Sequence, residues 1–173
     1  MIHWTPAKVC VRAAQLLALD PGERVLDVGA GVGKFCLLGS QVSAGHFVGV
    51  EQRAQLVAQA RSLAARLGSS AEFLHGDAFE LDWAEYPALY FYNPFDEARF
   101  PSSRQIDDTI ETGIAVFDRL VCATQARLSA LAIGTRVVTF HGIGGPMPLG
   151  FVLKASEPIG DGTLELWVSA GNA

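Results

Sequence analysis

The chain is poor in cysteine, poor in positive charge and free of long apolar runs. Three cysteines stand among 173 residues, at positions 10, 36 and 122. Their odd number and wide spacing exclude a disulfide framework and do not match metal-ligand spacing. Their apolar surroundings predict buried free thiols in a reducing compartment. Lys and Arg number 13 against 18 Asp and Glu, a formal net charge of −5. A partner held mainly through phosphates calls for a basic stripe, so nucleic acid is disfavoured, whereas a small molecule or a basic protein is not. No apolar stretch approaches the ~20 residues that span a bilayer, and the N-terminus lacks a basic stretch followed by an apolar block. A cytoplasmic protein without membrane contact is therefore expected. Repeats, low-complexity tracts and linkers are missing as well. With 50% hydrophobic residues, the chain reads as one domain with a substantial core.

Helical spacing of Val9, Ala13, Leu16 and Leu17 predicts a first helix over 6–19, entered through Thr5-Pro6. Strands are expected at 24–28, 46–50, 71–74, 89–92 and 136–140, with helices at 34–42 and 54–67. The second of these helices carries the stripe Leu56, Ala60, Leu63 and Leu67 and stops at Gly68. A long helix is expected over 107–131, with Ile110, Ile114, Phe117, Leu120 and Val121 on one side and Asp107, Asp108 and Glu111 at its start. The segments 151–157 and 163–169 flank Asp161-Gly162 and read as a hairpin. Between them and the fifth strand, the glycines and prolines of 141–148 forbid a regular helix, so a loop is expected. Alternating strands and helices with a terminal antiparallel pair give an α/β, doubly wound sheet.

The most informative run is Val25-Leu26-Asp27-Val28-Gly29-Ala30-Gly31-Val32-Gly33. An apolar strand ends in an acidic residue, turns through three glycines and opens a helix at Lys34. Glycine lets backbone approach a ligand where a Cβ would collide, and this strand–turn–helix unit is the entrance to nucleotide-type pockets. The dinucleotide pattern G-x-G-x-x-G fails, because Lys34 stands at its third glycine. Three further segments carry polar residues at strand ends. Phe47-Val48-Gly49-Val50-Glu51 presents a carboxylate that can accept two ribose hydroxyls or simply open the next helix. Phe73-Leu74-His75-Gly76-Asp77-Ala78 offers a second carboxylate, which can equally cap a turn. Tyr90-Phe91-Tyr92-Asn93-Pro94-Phe95 breaks a buried strand with Asn-Pro.

In this order the four segments resemble class I S-adenosylmethionine (SAM) dependent methyltransferases. The resemblance implies a mostly parallel, seven-stranded, Rossmann-like sheet whose last strand inserts antiparallel. It implies SAM as cofactor and no metal. Asp27, Gly29, Ala30, Gly31 and Gly33 would meet the methionine end, Glu51 with Gln52 the ribose, and Asp77-Ala78 the adenine. Asn93-Pro94-Phe95 resembles the Asn/Asp-Pro-Pro-Tyr/Phe motif of amino-group methyltransferases, one proline short. Asn93, a cofactor contact as well, would with the Pro94 carbonyl orient the acceptor amine beside the cofactor, and Phe95 would pack on the acceptor or belong to the core. From 25 to 140, Asp-Val-Gly-Ala-Gly-Val-Gly-Lys, Gly-Val-Glu, Asn-x-Phe and Gly-x-Arg-Val-Val also resemble the non-SET histone-lysine methyltransferase branch and its small prokaryotic relatives. One methyltransferase domain is expected over 1–173: an N-terminal helix and cover at 1–22, with Trp4 either over the cofactor or a hydrophobic staple at the helix start, a cofactor core at 23–140, and a loop and hairpin at 141–173. Its acceptor would be a nitrogen, or else an oxygen, on a small molecule or a protein side chain, shaped by 96–104 and 141–149. A SAM-binding scaffold subunit and a nicotinamide-dependent oxidoreductase are the competing readings. The sequence does not set the oligomeric state.

Overall fold

Seven strands and five helices follow one another in a computed structural model that describes residues 5–100, 107 and 109–171. They are α1 (Ala7–Leu17), β1 (Arg24–Val28), α2 (Lys34–Val42), β2 (His46–Glu51), α3 (Ala54–Leu67), β3 (Glu72–His75), β4 (Ala88–Tyr92), α4 (Asp96–Arg99), α5 (Ile114–Ser129), β5 (Arg136–Phe140), β6 (Phe151–Ile159) and β7 (Gly162–Ser169). Two 3₁₀ turns, Ala78–Glu80 and Trp83–Glu85, precede β4, each capped by the aspartate before it.

The strands form one sheet in the order β3-β2-β1-β4-β5-β7-β6. β3, β2, β1, β4 and β5 pair in parallel, and β7 runs antiparallel to both β5 and β6. Parallel central strands are covered on both faces, and the near-continuous apolar runs of β1, β2, β4 and β5 meet that demand. On one face α1, α2 and α3 bury Val25, Phe47, Tyr90 and Phe140, with the Phe35 ring stacked on Tyr90 at 3.9 Å. On the other, Leu26, Val28, Val48, Leu89, Phe91 and Val137 meet Trp83 and Leu128. Strand order reverses between β1 and β4, which opens a crevice at their C-terminal ends.

Four local expectations change. The long helix starts at Ile114, not 107, because Gly113 (φ 130) breaks the backbone there. Asp107 is instead drawn into a turn that accepts from the Thr109 N–H, and Asp108 lies outside the described residues. The buried stripe of α3 is Val57, Ala60 and Ala64, while Leu67, the last residue of the helix, is exposed. Ile114 is exposed too, and α5 buries Val116, Phe117, Val121, Thr124 and Leu128. Cys10 and Cys36 are buried free thiols as expected, but Cys122 is exposed, one position past the apolar face of α5. Among the described residues no helix is long and apolar enough to cross a membrane.

Candidate functional site

The crevice between β1 and β4 is lined by residues from three of the four sequence segments and part of the first. Gly29 and Gly31 stand after β1, Glu51 and Gln52 end β2, Asp77 and Ala78 follow β3, and Asn93, Pro94 and Phe95 follow β4. The opposite wall comes from Ile110, Glu111, Thr112 and Leu120. Asp27, Ala30 and Gly33 lie behind the glycine turn and do not line the cleft.

The turn folds back over β2. The N–H groups of Gly29 and Ala30 both donate to the Val50 carbonyl, at 3.0 and 2.9 Å. The N–H of Gly31 donates to Glu51 Oε2 at 3.0 Å, and that of Arg53 to Glu51 Oε1 at 2.9 Å. Glu51 thus locks the turn while each oxygen keeps a second lone pair for a hydroxyl donor. The glycines answer different demands. Gly31 (φ 56) has nothing within 4 Å of where a Cβ would stand, so its open side admits a ligand against the backbone. A Cβ on Gly33 (φ 80) would stand 2.4 Å from the Phe73 ring, so that glycine serves packing. The sequence motif alone does not separate the two uses.

Asp27 faces the α1–α2 layer, 4% exposed, and accepts from the Cys36 thiol at 3.5 Å. Burial, which the thiol contact partly offsets and the Glu51 charge reinforces, raises its carboxyl to about 7. Asp77 Oδ1 accepts from the Phe79 N–H at 2.9 Å, so it caps the 3₁₀ turn while lining the cleft. His75 Nε2 sits 3.0 Å from the Gln52 carbonyl and ties β3 to the loop after β2.

Asn93 occupies the left-handed region at φ 43, which asparagine tolerates better than other side-chain-bearing residues. That conformation turns the chain from β4 directly into Pro94 and the short α4. Phe95 is 8% exposed and packs with Ala98, Val116, Phe117 and Val121, its ring 6.3 Å from Phe79. His141, one residue beyond β5, also has a positive φ of 65, and its ring lies against Phe140 and Tyr92. The loop after β5 lines a separate cavity with Thr139, Glu165 and Trp167, not the cleft. Trp4 and residues 101–104 lie outside the described residues.

Sequence reading missed Arg53. Its side chain is 5% exposed and pairs with Glu97 at 2.5 Å and Asp107 at 3.0 Å. A lone arginine two residues past a strand-end carboxylate was the available signal, but its partners stand 44 and 54 positions away. The Thr109 hydroxyl and then Arg53 hold the Asp107 carboxyl down at about 2. Around the cleft the carboxylates are Glu51, Asp77, Asp96, Glu97 and Glu111, with Arg53 the cation among them. This lining accepts hydroxyl and amine donors readily. Among the described residues no group of His, Cys, Asp and Glu could hold a metal ion.

Known structures share the fold. Over the chain's full extent the fold is similar to an RNA methyltransferase from Salinibacter ruber in complex with S-adenosyl-L-homocysteine (SAH), at 22% identity and TM-score 0.70, covering 98% of this chain and 95% of that one. TrmN from Thermus thermophilus is similar at 19% identity and TM-score 0.63, over 94% of this chain and 47% of that one. In sequence, 71 residues are 44% identical to a 23S rRNA (uracil(1939)-C(5))-methyltransferase, RlmD, of Shewanella sp. strain ANA-3. That stretch is 38% of this chain, and the chain spans only 15% of the length of that relative. These names overturn the expectation that nucleic acid is disfavoured as a partner. Net charge weighs the whole surface, whereas a single base extruded into a pocket brings little phosphate with it. Residues 19–127 match the profile described as "Methyltransferase domain". The sheet is that of the methyltransferase structure above, and, with well over half its length matched, the chain belongs to that family.

Proposed function

We propose that this protein transfers the methyl group of SAM to a nitrogen of an RNA base. The observation that carries the reading is the placement of Asn93. It leaves β4 with a left-handed backbone, on the same cleft as Gly31, Glu51 and Asp77. The cleft fits the cofactor: Gly31 leaves open space at its backbone, Glu51 retains acceptor capacity for the ribose hydroxyls, and Asp77-Ala78 can meet the adenine. SAM supplies an activated methyl on a sulfonium, so the protein's share is alignment and exclusion of water. The Asn93 side-chain oxygen and the Pro94 carbonyl accept the acceptor's N–H hydrogens and aim its lone pair at the methyl; the methylated nitrogen then sheds its extra proton to solvent as SAH leaves. Phe79 and Phe95 form the aromatic wall beside them.

Nitrogen is favoured over carbon by the thiols. Methylating an unactivated ring carbon calls for prior addition of a nucleophile, whereas an amine lone pair attacks directly. None of the three cysteines lines the cleft. Burial first, and then the Asp27 charge, push Cys10 up to about 12 and Cys36 well above the ordinary thiol range. The relatives named for rRNA support a nucleobase as the acceptor, and the acidic lining suits an amine-bearing base that enters singly.

Incubation with methyl-labelled SAM and total RNA, followed by digestion to nucleosides, tests the reading. Label is expected on a ring or exocyclic nitrogen, and Asn93→Ala should lower turnover about 100-fold with SAH affinity little changed. Label found on protein or free amines, or on a pyrimidine carbon, refutes it.

A further inference from the structure

Arg53 joins the two walls of the cleft. Its backbone N–H donates to Glu51 Oε1 at 2.9 Å, on the wall expected to hold the cofactor. Its guanidinium points the other way: Nη2 donates to Glu97 Oε1 at 2.5 Å and Nε to Asp107 Oδ1 at 3.0 Å. Glu97 belongs to α4, the turn that Asn93-Pro94-Phe95 opens into. Asp107 starts the stretch that supplies Ile110, Glu111 and Thr112 to the opposite wall. This stretch is fastened at both ends. Gln55 Nε2 donates to Asp107 Oδ2 at 2.9 Å, and the N–H of Gly113 donates to the Ala98 carbonyl at 2.9 Å.

A guanidinium only 5% exposed is expensive to bury unless its donors are met in good geometry. Here two N–H donors of one planar group, Nε and Nη2, meet two different carboxylates that lie 54 and 44 positions from the arginine in sequence. A lysine ammonium, a compact charge on a flexible stem, does not hold the two in one fixed planar geometry. We propose that Arg53 is a positioning residue that sets the spacing between the cofactor wall and the acceptor wall, and so the place of Asn93 over the reacting methyl. The proposal rests on the methyl-transfer reading above.

Arg53→Lys in the whole protein tests it, with three readouts. Hydrogen exchange at the amides of 109–113 should quicken about tenfold or more as the staple opens. Affinity for SAH by calorimetry should stay within about threefold, since Glu51 still receives the backbone N–H. Turnover of the RNA acceptor should fall about tenfold or more, with its KM raised. Unchanged exchange at 109–113 overturns the staple. Faster exchange with kcat and acceptor KM unchanged overturns the positioning role. Should Arg53→Lys not fold, Asp107→Asn keeps the turn at Thr109 but removes the charge, and it must show the same pattern in smaller measure; no change in exchange there overturns the proposal. If the wild-type protein transfers no methyl to any acceptor, the methyl-transfer reading fails and with it the positioning role, while the exchange result still decides the staple.

Discussion

Replacing Asp27 with Asn should stabilise the ligand-free protein, and more so as the pH rises. The carboxyl is buried at 4% exposure beneath the glycine turn, and its pKa rises from an ordinary 3.8 to about 7. Burial is the main cause; the Cys36 thiol opposes it and the Glu51 charge adds to it. A folded-state pKa above the unfolded one means that the native state holds more protons between the two values. Stability from this group is then complete below about pH 4 and is lost as pH rises through about 7. A shift of about three units at 1.36 kcal/mol each corresponds to on the order of 4 kcal/mol in all, about 2–3 kcal/mol of it between pH 5 and 8. Asn keeps the shape and never ionises. Urea unfolding of both proteins at pH 5, 6, 7 and 8, without SAM, checks this. The stability of Asp27→Asn relative to wild type should climb with pH and level off above about 7. A difference that is flat with pH, or that falls, refutes the argument that Asp27 is buried without a cationic partner.

Two other substitutions separate ligand contact from packing. Gly33→Ala forces a Cβ to 2.4 Å from Phe73 at a φ of 80, and should cost about 2–4 kcal/mol of stability through strain and overpacking. Gly31→Ala meets nothing within 4 Å and carries only the strain of its φ of 56, about 1–2 kcal/mol; in calorimetry it should weaken SAH binding by more than it destabilises the fold. The reverse ranking of the two would sink the division of labour within the turn. Glu51→Ala should lose about 1–3 kcal/mol of SAH binding, and Glu51→Gln should keep more of the turn's stability because one oxygen still accepts a backbone N–H. Equal affinity in wild type and Glu51→Ala would remove Glu51 from the ribose site.

Much of the architecture was legible because strand and helix alternate with clear stops. The apolar runs of β1, β2, β4 and β5 fall where the sheet needs them, and the hairpin forms beside Asp161-Gly162, with Gly160-Asp161 as its turn and Gly162 opening β7. The Gly/Pro-rich segment after β5 is a loop, as its backbone chemistry requires. Faces were harder to read than elements. α3 buries Ala64 and exposes Leu67, since small side chains let the helix sit close to the sheet. At the site, local motifs located Gly31, Glu51, Asp77 and Asn93 on one cleft, because each ends a parallel strand at the same edge. What stayed hidden was non-local. Arg53 finds Glu97 and Asp107 only through the fold, and the acidic pair that reads as a helix start is captured at Asp107 by that arginine and by Thr109. Charge misled most, since a sum over 173 residues is silent on what one cleft admits.

A crystal structure of the protein with SAH decides whether this cleft holds the methyl donor beside Asn93. The ribose hydroxyls should lie on Glu51, the adenine at Asp77-Ala78 and the sulfur against the Asn93-Pro94-Phe95 turn. SAH bound elsewhere, or in this cleft with its sulfur directed away from Asn93, would contradict this placement.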